Sequence, residues 1–151
     1  MAPDLLLLIL IALLVGAGPP FQAGINATIA QAHGHPLLGA VTNTLVASLV
    51  LFIAILVLKV PAPRLGGLVA APWWAWTGGI LGAFFVLSSL VIAPKLGAAA
   101  FVSTTIVGTM IASLLVDHFG LLAYRVQPVT LLRLLGAVLV VAGMMLIQWK
   151  R

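Results

Sequence analysis

Gln22 and Asn26 carry the first amide side chains in this chain, each offering hydrogen-bond donors and an acceptor. They lie in the stretch GAGPPFQAGIN, residues 16–26, just after Gly16, Gly18 and the pair Pro19 and Pro20. Residues four apart share one face of a helix. Proline withholds a backbone N–H and kinks a helix, and glycine lets the backbone hinge. An amide left unpaired in an apolar solvent costs roughly 4–8 kcal/mol. Two readings follow. The amides line a cavity beside a broken helix, where freed backbone groups meet a solute. Alternatively they bond across to another helix, a contact that contributes about 0.6 kcal/mol on average.

Other polar residues are scattered along the chain. Thr105, Thr109 and Ser113 recur at i, i+4 and i+8 and form a stripe on one helix face. Ser and Thr in membrane helices often bond carbonyls of their own helix instead. Asn43 is the costly polar residue of its segment, beside the cheaper Thr42, Thr44 and Ser48, and Ser88 and Ser89 read as packing residues. Asp117 and His118 are adjacent and offer proton coupling on one reading, and an anchor for a loop backbone on the other. His33 and His35 are two ligands at most, too few for a standard metal site. There is no Glu and no Cys, and Asp4 and Asp117 are the only acids. No carboxylate lies inside an apolar run, so a permanently cationic drug lacks the counter-ion it would need. A neutral, zwitterionic or anionic solute fits better. Little catalytic chemistry is left, and no cofactor is expected.

These residues must be positioned by membrane-spanning helices. The chain has 151 residues, 64% hydrophobic and 6% charged. That is more apolar surface than a water-soluble domain of this size can bury. A helix needs about 20 apolar residues to cross the hydrocarbon core. Five windows qualify: residues 5–32, 37–58, 73–93, 98–116 and 131–149. Pro19 and Pro20 interrupt the first, and Pro94 is expected to close the third. The N-terminal run carries Asp4 and no Lys or Arg before its apolar core, so it reads as a retained span rather than a secretion signal. The runs are continuously apolar rather than alternating, which makes barrel strands a poor alternative to helices. Trp73, Trp74, Trp76 and Trp149 mark interfacial belts. Gly78 with Gly82, and Gly136 with Gly143, mark candidate contact faces. The expectation is one all-α transmembrane domain over residues 1–151.

The charges bear on orientation. With five spans, Lys59, Arg64, Arg125 and Arg133 fall on the N-terminal side, and Lys95, Lys150 and Arg151 on the other. Orientation follows the side with excess Lys and Arg. Four against three is almost no excess, which predicts dual topology and an antiparallel dimer. A single orientation set by one early loop is the alternative. Scattered cations fit anchored helix ends in a bilayer rather than a nucleic-acid partner.

Several stretches carry a family likeness: FQAGINA in the first span, GGILGAFFVLSSLVIAPKLGAAA across the third and fourth, LLVDHFGL, and RLLGAVLVVAGMMLI in the fifth. On these the chain resembles the YdcZ-like proteins, the short five-helix branch of the drug/metabolite transporter superfamily. The resemblance implies half-transporter packing, an antiparallel homodimer or a heterodimer with a paralogue, and an inner-membrane location. Thr109 stands where the resemblance would place a glutamine. The resulting expectation is a transporter or exporter of small molecules by alternating access. Gln22, Asn26, Asn43, Thr105 and Thr109 would line the path, Gly16, Gly18, Pro19 and Pro20 would form the hinge, and Asp117 and His118 would serve any coupling. The rival is a non-transporting scaffold or regulatory subunit of a larger membrane complex.

Overall fold

The computed structural model describes residues 3–62, 66–67 and 70–149, with side chains from residue 5 onward. Arg64, Lys150, Arg151 and the Asp4 side chain, all used in the charge argument or the reading of the N-terminus, lie outside the described residues. Among the described residues five helices are long and apolar enough to cross a membrane, counting the broken first one once. Their large apolar side chains are exposed along most of their length, as suits lipid as the solvent. The chain divides into two compact units, Met1–Lys95 and Leu96–Arg151.

The first unit opens with α1 (Pro3–Gly16) and α2 (Gly18–His33). Ala17 between them keeps right-handed helical angles, φ −76° and ψ −16°. The break is therefore one of hydrogen bonding: Pro19 and Pro20 have no N–H to give the carbonyls of Val15 and Gly16, four residues back. The Ala17 N–H still reaches the carbonyls of Leu13 and Leu14, at 3.1 and 3.2 Å. The apolar span Leu5–His33 holds 29 residues. At about 1.5 Å per residue that is about 43 Å, against about 30 Å of hydrocarbon, a mismatch that tilting or kinking absorbs.

A tight turn leads into α3 (Pro36–Val57). Gly34 takes the left-handed conformation at φ +74°. Glycine adopts it without a side-chain penalty. Its N–H bonds the Gln31 carbonyl, and the His35 N–H bonds that of Ala30, both at 3.1 Å. Together these bonds close α2. The imidazole Nδ1 of His35 accepts from the Leu37 N–H at 3.1 Å, capping α3. Pro36 fills the first helical position. Gly39 sits so close to α2 that a Cβ there would lie 2.7 Å from the Ala30 Cβ.

A single 3₁₀ turn, Trp73–Trp76, feeds α4 (Thr77–Leu96), and the Thr77 hydroxyl donates to the Trp74 carbonyl at 2.6 Å. Pro94 does not close this helix but lies within its last turn. So near the end its missing N–H removes one bond, to Leu90, and the helix continues for two more residues.

The second unit is an antiparallel pair, α5 (Ala98–Phe119) and α6 (Leu131–Gln148). Gln148 donates to the Thr104 hydroxyl at 3.0 Å at one end, and Arg133 pairs with Asp117 at 3.4 Å at the other. The helix α5 runs past Val116, so Asp117 and His118 belong to its last turn. It stops at Gly120, φ +60°, where a Cβ would meet Val126 Cγ2 at 2.6 Å. Gly78, Gly82, Gly136 and Gly143 have open space where a Cβ would stand. Among the described glycines of the first unit, Gly39 is thus the one pressed against another helix, and the glycine spacing does not pick it out.

Candidate functional site

The face of α2 that is removed from solvent is narrow: Ala23, Asn26 and Ala30, at spacings of three and four. Asn26 is 4% exposed. Among the described residues its amide makes no hydrogen bond, yet no fully enclosed polar side-chain atom lacks a partner. Its small residual exposure therefore lies at the amide tip, an opening onto a polar group otherwise withdrawn from the surroundings. Gln22, one turn earlier, is exposed. The stripe passes through Ala23 and leaves Gln22 on its flank, so i, i+4 spacing puts the two amides near each other without burying both. The neighbouring α2 hydroxyl, Thr28, donates to its own helix at the Gly24 carbonyl, 3.0 Å. Asn26 thus has no partner on α2 and sits two turns past the proline break.

On α3, Asn43 is half-buried and makes no side-chain hydrogen bond among the described residues. Its neighbours differ. Thr42 and Thr44 donate to the carbonyls of Leu38 and Ala40, at 2.9 and 3.0 Å, and Thr42 also lies 3.4 Å from His33 Nε2. The two histidines of the turn therefore have separate structural contacts. Ser89 donates to the Val86 carbonyl at 2.7 Å.

The stripe on α5 is not uniform. Thr105 donates to the Val102 carbonyl at 2.9 Å, and Ser103 and Thr104 both donate to that of Ala100. Thr109 and Ser113 make no such bond among the described residues. They line an open recess of about 390 Å³ with Val116, Asp117, Leu122 and Tyr124. Gln22, Asn26 and Asn43 thus belong to the first unit, and Thr105 and Thr109 to the second.

Asp117 and His118 hold the loop before α6. The Asp117 carboxylate pairs with Arg133, its carbonyl accepts from the Gln127 N–H at 2.8 Å, and His118 Nδ1 accepts from the Val129 N–H at 3.2 Å. Arg133 also donates to the Gln127 carbonyl at 3.3 Å and to its side-chain oxygen. These bonds secure a loop in which Leu122 and Ala123 have positive φ, 55° and 66°. That conformation costs a non-glycine residue about 1–2 kcal/mol. Among the described residues no three of His, Asp, Glu and Cys gather as a metal-ligand set.

Residues 7–146 match the model of a family described as "Putative inner membrane exporter, YdcZ". The chain is 33% identical to the inner membrane protein YdcZ of Escherichia coli (strain K12) over 137 residues, covering 87% of this chain and 88% of that relative. No solved structure matches.

Proposed function

The chain belongs to the YdcZ family, and from that premise we propose that it exports a small solute by alternating access across an antiparallel dimer. It is a multi-pass protein of the inner membrane, in a family of membrane exporters rather than enzymes. The observation that carries the reading is Asn26: a withdrawn amide, with no hydrogen bond among the described residues and a small opening at its tip, past a proline-broken helix. Transporter sites use such places, where backbone and side-chain polar groups remain free for the solute.

The solute is neutral, zwitterionic or anionic. Within the first unit it passes Asn26 with Gln22 and Asn43; within the second, Thr109 is the candidate contact, its hydroxyl free of its own helix among the described residues, whereas that of Thr105 is returned to Val102. Gly16, Gly18, Pro19 and Pro20 form the hinge, and the near-equal charge on the two sides supports two copies in opposite orientation. Any coupling runs through Asp117 and His118, and would have to release the loop they hold.

The test compares solutes in the medium of cells producing the wild type or Asn26→Ala at equal membrane levels. Export predicts solutes enriched by the wild type and reduced about tenfold or more by the variant. No wild-type enrichment, together with copurification of a larger complex, would support the scaffold reading instead.

A further inference from the structure

The first unit contains a second polar feature that the export path does not use. A recess of about 610 Å³ opens between the α2–α3 turn and the last turns of α4, lined among others by Gln31, His35, Pro36, Leu90, Pro94 and Lys95. That volume falls within the ordinary range for small-molecule sites. His35 and Lys95 are separated by two spans, α3 and α4, so an even number of crossings returns them to one membrane side.

Lys95 is the charged side chain of the lining. Lys95 makes no ion pair or hydrogen bond among the described residues, and the one described ion pair, Arg133 with Asp117, belongs to the other unit. His35 commits Nδ1 to the Leu37 N–H as acceptor. A neutral imidazole with an accepting Nδ1 carries its proton on Nε2, so the remaining ring nitrogen donates. The Gln31 amide also makes no hydrogen bond among the described residues and offers two more donor hydrogens. No carboxylate lines the recess. The N-terminus of α3 brings the positive end of a helix dipole to the lip at Pro36, and the last turns of α2 and α4 bring negative ends, so the side-chain donors and not the dipoles are what favour an anion.

We propose that this recess binds an anionic group, a carboxylate or phosphate, held by the Lys95 ammonium, His35 Nε2–H and the Gln31 amide. The same chemistry suits the headgroup of an anionic lipid and a free anion from the aqueous side. The proposal goes beyond the export reading: the recess can fill while Asn26 transports nothing, and the reverse.

The test is thermal melting of the full-length protein in neutral detergent. Phosphatidylglycerol is titrated against phosphatidylcholine, and inorganic phosphate against sodium chloride of equal ionic strength. Wild type should be stabilised by phosphatidylglycerol, by phosphate, or by both, beyond the controls. Lys95→Gln should weaken the apparent affinity about tenfold, the scale of one lost charge-assisted hydrogen bond, and Lys95→Arg should retain it. His35→Ser keeps a capping oxygen for Leu37 while removing the ring donor, and should also weaken binding with little change in the unliganded melting temperature. Stabilisation by phosphatidylglycerol alone identifies the ligand as a lipid headgroup, and stabilisation by phosphate identifies a free anion. If neither probe stabilises the wild type, or if Lys95→Gln and His35→Ser titrate like it, the proposal is overturned.

Discussion

Around Asp117 the polar groups answer one another, whereas around α2 the comparable groups do not. The carboxylate of Asp117, the guanidinium of Arg133, the amide of Gln127 and His118 Nδ1 all have partners, and together they fix one loop. Asn26, Gln31 and Lys95 have none among the described residues, although Asn26 is withdrawn and the other two line a recess. A satisfied network rigidifies the structure that carries it. Withdrawn but unsatisfied groups cost stability, and a bound solute can offset that cost. The contrast therefore separates residues that build the molecule from residues left to meet something else.

Two variants, one at each end of this contrast, challenge it most severely. Asn26→Ala should reduce export about tenfold or more without lowering the melting temperature, because it removes an unsatisfied amide. Arg133→Ala should leave the exported solutes the same and lower stability by about 1 kcal/mol or less, as for a partly exposed pair screened by solvent. The reverse pattern, measured by medium composition and thermal melting of the same two variants, would assign the solute to the Asp117 network. Next in size is Gly39→Val. A Cβ there would stand 2.7 Å from that of Ala30. The added side chain must push α3 from α2, with an overpacking cost of about 1–3 kcal/mol. Thermal melting should fall by several degrees, and the α2 face should lose export with it.

Smaller still is Thr105→Val. The Thr105 hydroxyl returns to its own helix at Val102, so its loss should change neither melting nor export measurably. Thr109→Val should reduce export more than Thr105→Val does, because Thr109 makes no bond within its helix among the described residues. Equal effects of the two, in the same export assay, would remove the distinction between bonded and free hydroxyls on α5. The least invasive probe is a tag after Arg151. Near-equal charge predicts that it is found on both sides of the membrane in intact cells, and a single location would leave an oppositely oriented paralogue as the partner.

The spans were legible because apolar length is a strong signal in lipid, and no other regular structure built from continuously apolar runs satisfies the backbone there. The break at Pro19 and Pro20 was legible because its cause is covalent. Other features depend on what lies across a turn. Pro94 reads as a stop, yet it sits so late in α4 that it removes a single bond. Gln22 and Asn26 read as a pair, and only the packing of Ala23 and Ala30 shows which is withdrawn. Gly39 carries no spacing signal because its neighbour, Ala30, is on another helix. Arg133 and Asp117 are sixteen residues apart, across a loop of irregular backbone, although a lone acid and a base at facing helix ends was the available hint.

The decisive measurement uses the absence of native cysteine. Asn26→Cys and Leu139→Cys are produced singly and labelled with a membrane-impermeant maleimide, in intact cells and in inverted membrane vesicles. With copies in both orientations, a solute path open to water at the α2 face predicts labelling of Asn26→Cys in both preparations, and of Leu139→Cys, on an apolar face of α6, in neither. If Asn26→Cys stays unlabelled in both while Tyr124→Cys in the loop reacts, the α2 face is closed to water and the account of Asn26 as a transport residue is wrong.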